Sequence, residues 1–290
     1  MEVFLFLLAL PLAVFIGESL GDSGSDNDND DDTSPEPARI EGTDEDDDIF
    51  GTDAAELIDA RAGDDFVNAL AGDDTVTAGS GNDEGTGGDG DDSIYAQDGD
   101  DLFIGGEGND RVFLGEGDDF SDPMVAPDLA LDSGDDLIRG GVGDDVIIDW
   151  RGADSLYGDP GKDVLDAVDL FPEESDSDLL SGGHGADLLV GDDGDTMTGG
   201  EDEDQFISFV DESDDLPVTI ADWQPDERLG LIWDGDTLGP AEESDLTMEQ
   251  DPDTDTVQLF VKEHCVAILE NATGFSLDQV DLTVDYSEAA

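Results

Sequence analysis

Along most of this chain of 290 residues an aspartate recurs every nine residues, with a glycine two residues ahead of it. From residue 42 the windows read GTDEDDDIF, GTDAAELID, ARAGDDFVN, ALAGDDTVT, AGSGNDEGT, GGDGDDSIY, AQDGDDLFI, GGEGNDRVF and LGEGDDFSD. Numbered 1 to 9, each window carries an acidic residue at position 6, aspartate in all but the second. The candidates are Asp47, Asp65, Asp74, Asp83, Asp92, Asp101, Asp110, Asp119, Asp136, Asp145, Asp154, Asp163, Asp178, Asp187 and Asp204. The glycines allow positive φ and tight turns that gather carbonyls. Each aspartate adds a hard anionic oxygen. Such a donor set suits Ca²⁺, which takes six to eight oxygens at about 2.3–2.6 Å in flexible geometry, better than Mg²⁺, which needs a tight octahedron and keeps its waters. Cys265 is the only cysteine, which excludes an internal disulfide, and the absence of a Cys–His cluster argues against structural zinc.

These residues need a scaffold that repeats with them. Position 8 is apolar in most units, among them Ile49, Ile58, Val67, Val76, Ile94, Phe103, Val112, Ile138, Ile147, Leu156, Leu165, Leu180, Leu189, Met197 and Phe206. The three residues after each aspartate, with an apolar side chain at their centre, predict a very short strand with one face inward. One unit is then a turn and a strand, and two units close a coil of 18 residues with turns on opposite sides. Stacked coils put the strands in parallel and position 8 in one interior row. About 17 units run over 42–207, interrupted near 123–130 and 167–172. At the usual strand spacing, about eight coils make a rod roughly 35–40 Å long.

The pattern GGxGxDxUx is met at every key position by GGDGDDSIY (87–95), GGEGNDRVF (105–113), GGVGDDVII (140–148) and GGHGADLLV (182–190). In this the chain resembles the RTX, or haemolysin-type calcium-binding, nonapeptide-repeat proteins. The resemblance implies an all-β fold, a calcium-dependent parallel β-roll with a C-terminal β-rich cap. It also implies several Ca²⁺ ions lying between neighbouring turns, held by position-6 aspartates and by carbonyls of turn glycines such as Gly90, Gly99, Gly108, Gly117, Gly143 and Gly185. Carried over, Asp92 and Asp110 face one ion row, and Asp83, Asp101 and Asp119 the other. Some units depart from the pattern: Glu56 stands at a position 6, Gly85 and Ser121 leave gaps in the interior row, and Thr196 is read in place of the aspartate of the shortened unit GDDGDTMT.

The formal charge of −74 removes the basic footprint that nucleic-acid binding requires and repels anionic membrane surfaces. Residues 3–16, VFLFLLALPLAVFI, are too short to span a bilayer unaided. Residues 1–20 read as a signal peptide or short membrane anchor. Residues 21–41 hold almost no large apolar residue and read as an acidic linker. Residues 208–290 carry short β-type runs at 218–220, 229–233, 257–261, 266–269 and 280–284, fitting a capping or secretion region. A leading V218-T-I-A-D-W-Q-P-D-E-R-L-G-L231 resembles the stretch that follows RTX arrays. HExxH does not occur, so the zinc-protease signature is missing. The expectation is a non-enzymatic calcium-binding protein of the cell exterior, folding where calcium is abundant and engaging secretion machinery or a surface partner. The alternatives are a cell-surface or matrix adhesion component, anchored through residues 1–20, and an enzyme with an unrecognised site.

Overall fold

The computed structural model describes residues 37–121, 133–168, 176–192, 194–210, 216–235, 237–251 and 253–285. The export-or-anchor segment, most of the linker and the insertion at 123–130 lie outside the described residues. So does much of the insertion at 167–172. Among the described residues no helix is long and apolar enough to cross a membrane.

From Ala38–Glu41 to Arg228–Asp234 successive strands alternate between two sheets. Among the described residues one sheet has 13 strands and the other 11. In the repeat region all pairing is parallel between strands two units apart, as in Ser93–Asp98 against Arg111–Glu116, where Ile94 faces Val112. This is the parallel β-roll. Position 8 fills the space between the sheets: Val67, Val76, Ile94, Phe103, Val112, Leu156, Leu180 and Phe206 are all fully buried.

The strands are longer than the three residues expected. Ser93–Asp98 covers positions 7 to 9 of one unit and 1 to 3 of the next, which leaves only Gly99, Asp100 and Asp101 for the turn. Extension past position 9 is carried by position 2, which takes positive φ in both glycine and non-glycine units: Gly88 at +113°, Gly106 at +123°, Leu70 at +79° and Gln97 at +89°.

One interior gap is closed by a neighbour. Gly85 pairs with Phe103, and a Cβ on Gly85 would lie 2.7 Å from the Phe103 ring. The strand beyond Phe103 carries the buried Ser121, so one large ring sits between two small residues.

At the N-terminal end Ala38–Glu41, expected as linker, is a strand in register with Glu56–Ala62. At the other end the tail extends both sheets. Val218–Ile220 adds in parallel to Thr196–Glu201, and Arg228–Asp234 to Gln205–Val210, followed by Val280–Asp285. An antiparallel meander of Leu246–Asp251, Thr256–Val261 and His264–Leu269 completes the larger sheet. The first of its strands has no clear sequence signal, because its exposed residues Thr247 to Asp251 are polar apart from Met248. Trp223 and Trp233 are buried in this cap, and His264 opens a strand with its ring edge-on to Trp233.

Candidate metal centre

Each position-6 aspartate closes a turn, and its Oδ1 accepts the backbone N–H of the position-6 residue one coil earlier. The bonds run from Asp47 N to Asp65 (2.8 Å), Asp65 N to Asp83 (2.8 Å), Asp83 N to Asp101 (2.8 Å) and Asp101 N to Asp119 (2.8 Å). They continue to Asp145, Asp163, Asp187 and Asp204 at 2.8–2.9 Å. On the opposite edge a second ladder links Glu56 to Asp74, Asp92, Asp110, Asp136, Asp154, Asp178 and Asp195 at 2.6–2.8 Å. Asp92 and Asp110 thus lie on one ladder, and Asp83, Asp101 and Asp119 on the other.

A third set of bonds runs in the opposite sense outside them. Position-5 side chains accept N–H groups from the following coil, as when Asp64 Oδ1 takes Asn82 N (2.9 Å) and Asp91 Oδ1 takes Asn109 N (3.0 Å). The turn amides of positions 5 and 6 are thus held by side chains, while Gly90, Gly99, Gly108, Gly117, Gly143 and Gly185 donate to carbonyls of the next coil at 2.6–3.1 Å. The carbonyl of Gly117 lies 1.5 Å from where a Cβ on Gly143 would stand, so coils meet backbone to backbone.

This leaves one carboxylate oxygen per turn. Among the described residues, the Oδ2 atoms of Asp65, Asp74, Asp83, Asp92, Asp101, Asp110, Asp119, Asp145, Asp163, Asp187 and Asp204 are buried and accept no hydrogen bond. Where position 1 is glycine, Oδ2 lies against its bare Cα. A Cβ on Gly87, Gly105 or Gly182 would come within 2.1–2.3 Å of the Oδ2 of Asp92, Asp110 or Asp187. Arg39, Arg61, Arg139 and Arg228 pair with carboxylates outside the rows, so they do not neutralise them. Burial pushes the carboxyls of Asp74, Asp92, Asp101, Asp119 and Asp163 up to about 7, and those of Asp65, Asp110, Asp145 and Asp204 to about 6. Buried anions without donors are costly unless a cation meets them. The residues present therefore fit a row of hard divalent cations, and the donor set is all oxygen, as Ca²⁺ requires.

Four positions differ from the sequence reading. Asp47 is closed from within its own turn, its Oδ2 accepting the Thr43 N–H (2.6 Å) and hydroxyl (2.8 Å). Glu56 is closed in the same way by the N–H (2.9 Å) and hydroxyl of Thr52. Asp195, not Thr196, holds position 6 of the shortened unit, because the missing residue is taken from the turn and Met197 keeps its place in the core. Asp149, at a position 1 that is glycine in many other units, forms with Asp136 and Asp154 a buried group whose ligand oxygens lie within 4.8 Å of one another. The signal for Asp149 was its replacement of that glycine.

The family model described as RTX calcium-binding nonapeptide repeat (4 copies) matches residues 39–67, 50–84, 86–120, 132–165 and 174–197. No curated protein matches the chain. Among solved structures, the extracellular lipase LipA from Serratia marcescens matches at 14% identity and a TM-score of 0.22, over 79% of this chain and 45% of the lipase chain. The chain thus spans less than half the length of that lipase.

Proposed function

We propose, for a chain that belongs to the family of RTX calcium-binding nonapeptide-repeat proteins, that it is a calcium-binding β-roll whose folding is driven by the ion and takes place outside the cytoplasm. The observation that carries this reading is the column of buried, donorless Oδ2 atoms along both turn edges. The holders proposed for the first row are Asp65, Asp83, Asp101, Asp119, Asp145, Asp163, Asp187 and Asp204. For the second they are Asp74, Asp92, Asp110, Asp136, Asp154 and Asp178; Asp195 is left out because its Oδ2 accepts the Asp192 N–H at 2.8 Å. Carbonyls of the turn glycines complete each site. Asp47 is left out because Thr43 already satisfies it. Since a site exists only when two coils are stacked, binding energy becomes folding energy. A chain that stays unfolded at low cytosolic calcium and folds at high external calcium follows from that linkage. The test is a Ca²⁺ titration of residues 39–290 by circular dichroism, with Mg²⁺ as control. A cooperative gain of β signal with Ca²⁺ alone is expected. A β-rich fold already formed at neutral pH in chelator would overturn the reading.

A further inference from the structure

The first aspartate row does not stop where the nonapeptides stop. Arg228–Asp234, a strand of the tail, pairs in parallel with Gln205–Val210, and its Arg228 faces Gln205. Glu227 therefore stands beside Asp204 as each position-6 residue stands beside the one before it. As between other neighbours in a row, one strand of the other sheet, Val218–Ile220, lies between them. Glu227 is 1% exposed. Its Oε2 accepts the Gln224 N–H at 2.6 Å, and its Oε1 is buried without a donor, as is Oδ2 of Asp204.

The surroundings hold this carboxylate in place without neutralising it. Asp222 accepts the N–H groups of Gly199 (3.0 Å) and Gly200 (2.9 Å), which ties the turn before Glu227 to the last repeat. Gln279 donates to the carbonyls of Pro225 (2.9 Å) and Glu227 (3.3 Å) from the far side. Burial above all, with the like-signed field of Asp222, Asp204 and Asp226, raises the Glu227 carboxyl to about 8. The guanidinium of Arg228 reaches out to Asp281 instead.

We propose that Glu227 and Asp204 bind one further divalent cation, of the Ca²⁺ type, that fastens the C-terminal cap to the roll. This rests on the calcium reading of the rows but adds a site outside the nonapeptide pattern, with a ligand from the tail. The consequence is that the cap docks only in calcium.

The test uses the full chain carrying Trp150→Phe, so that emission reports Trp223 and Trp233 of the cap. Glu227→Gln keeps the side chain's size and removes its charge. It is expected to bind one ion fewer per chain by equilibrium dialysis, and to raise the calcium midpoint of the emission change about tenfold or more. The circular dichroism midpoint of the array should stay where it was. Glu227→Asp, which keeps the charge, should keep the ion. An unchanged ion count and emission midpoint in Glu227→Gln would overturn the site and leave Glu227 as a buried protonated acid, with the array reading intact. A parent chain that takes up no calcium would sink both. Should Glu227→Gln fail to fold, Asp204→Asn, which still accepts the Asp187 N–H, is expected to lose two ions, one shared with Asp187 in the first row and one shared with Glu227, and the loss of a single ion would overturn the cap site.

Discussion

Removing calcium should make the fold depend on acid. Nine position-6 carboxyls are raised by burial from 3.8 to about 6 or 7. Keeping one ionised in the ion-free roll costs roughly 3–4 kcal/mol. Taken together, and even halved for coupling and relaxation, the nine exceed the ~5–15 kcal/mol that holds an ordinary domain folded. A carboxyl whose pKa rises on folding stabilises the fold while protonated. That contribution is complete below the unfolded value of 3.8 and is lost as the pH climbs through about 6 to 7. Metal-free protein is therefore expected to be unfolded at pH 8, and to gain β structure as the pH falls toward 5, still above the isoelectric point of about 4.1. With calcium present the fold should stand at pH 8, and its calcium midpoint should rise on acidification because protons compete for the same oxygens. The assay is far-ultraviolet circular dichroism with thermal melts from pH 5 to pH 8, on protein stripped by a chelating resin, since soluble chelators weaken in acid. A metal-free roll that melts at the same temperature at both ends of that range would refute the reasoning.

Other perturbations separate backbone, core and turn effects. Gly143 sits at φ +154°, and a Cβ there would lie 1.5 Å from the Gly117 carbonyl oxygen. Gly143→Ala should cost at least ~2 kcal/mol in saturating calcium. Gly230→Ala, whose Cβ would meet Ile207 at an ordinary 3.4 Å, should change stability by no more than ~0.5 kcal/mol. Calorimetric melts of the pair check both. Phe103→Ala should cost ~3–5 kcal/mol in urea unfolding, because Gly85 and Ser121 beside it have no bulk to refill the cavity. Leu70 is held at φ +79° with its side chain 41% exposed, so Leu70→Gly should stabilise by about 1 kcal/mol in the same urea assay.

The roll was legible because its physics is periodic. Isoleucine, valine and phenylalanine at position 8 and aspartate at position 6 keep phase over many units, and a wrong register would expose the one and scatter the other. What escaped notice is local. Six-residue strands follow from positive φ at position 2, where leucine, glutamine and arginine give no warning of that conformation. Asp195 was misplaced because a one-residue deletion within a turn shifts the acidic position but not the core position, and only the core fixes the count. In Arg228–Asp234 the period of two is plain, but nothing in the residues says that Glu227 will stand beside Asp204. That neighbour is set by where the chain re-enters the sheet.

The two turns of the first coil differ from the rest in a way that bears on where calcium is needed. Position 2 takes positive φ in many later units, whether as Gly79, Gly88, Arg61 or Leu70. Thr43 and Thr52 hold that position in the first two units and are not among the positive-φ residues, in line with the steric penalty on β-branched side chains there. Held in ordinary backbone, each threonine turns its N–H and hydroxyl onto the carboxylate four residues on, Asp47 or Glu56. Two neutral donors thus do for these carboxylates what a cation is proposed to do further along. Thr52→Val preserves shape and backbone preference but removes the hydroxyl, leaving an oxygen of Glu56, 2% exposed, without that donor. The cost is about 1–3 kcal/mol. In saturating calcium this lowers the melting temperature by roughly 2–10 °C for a domain of this size, while the number of ions bound stays the same. A variant that melts with the parent but binds one ion fewer would show that the first coil is a calcium site after all, and that threonine is a ligand there and not a replacement for one.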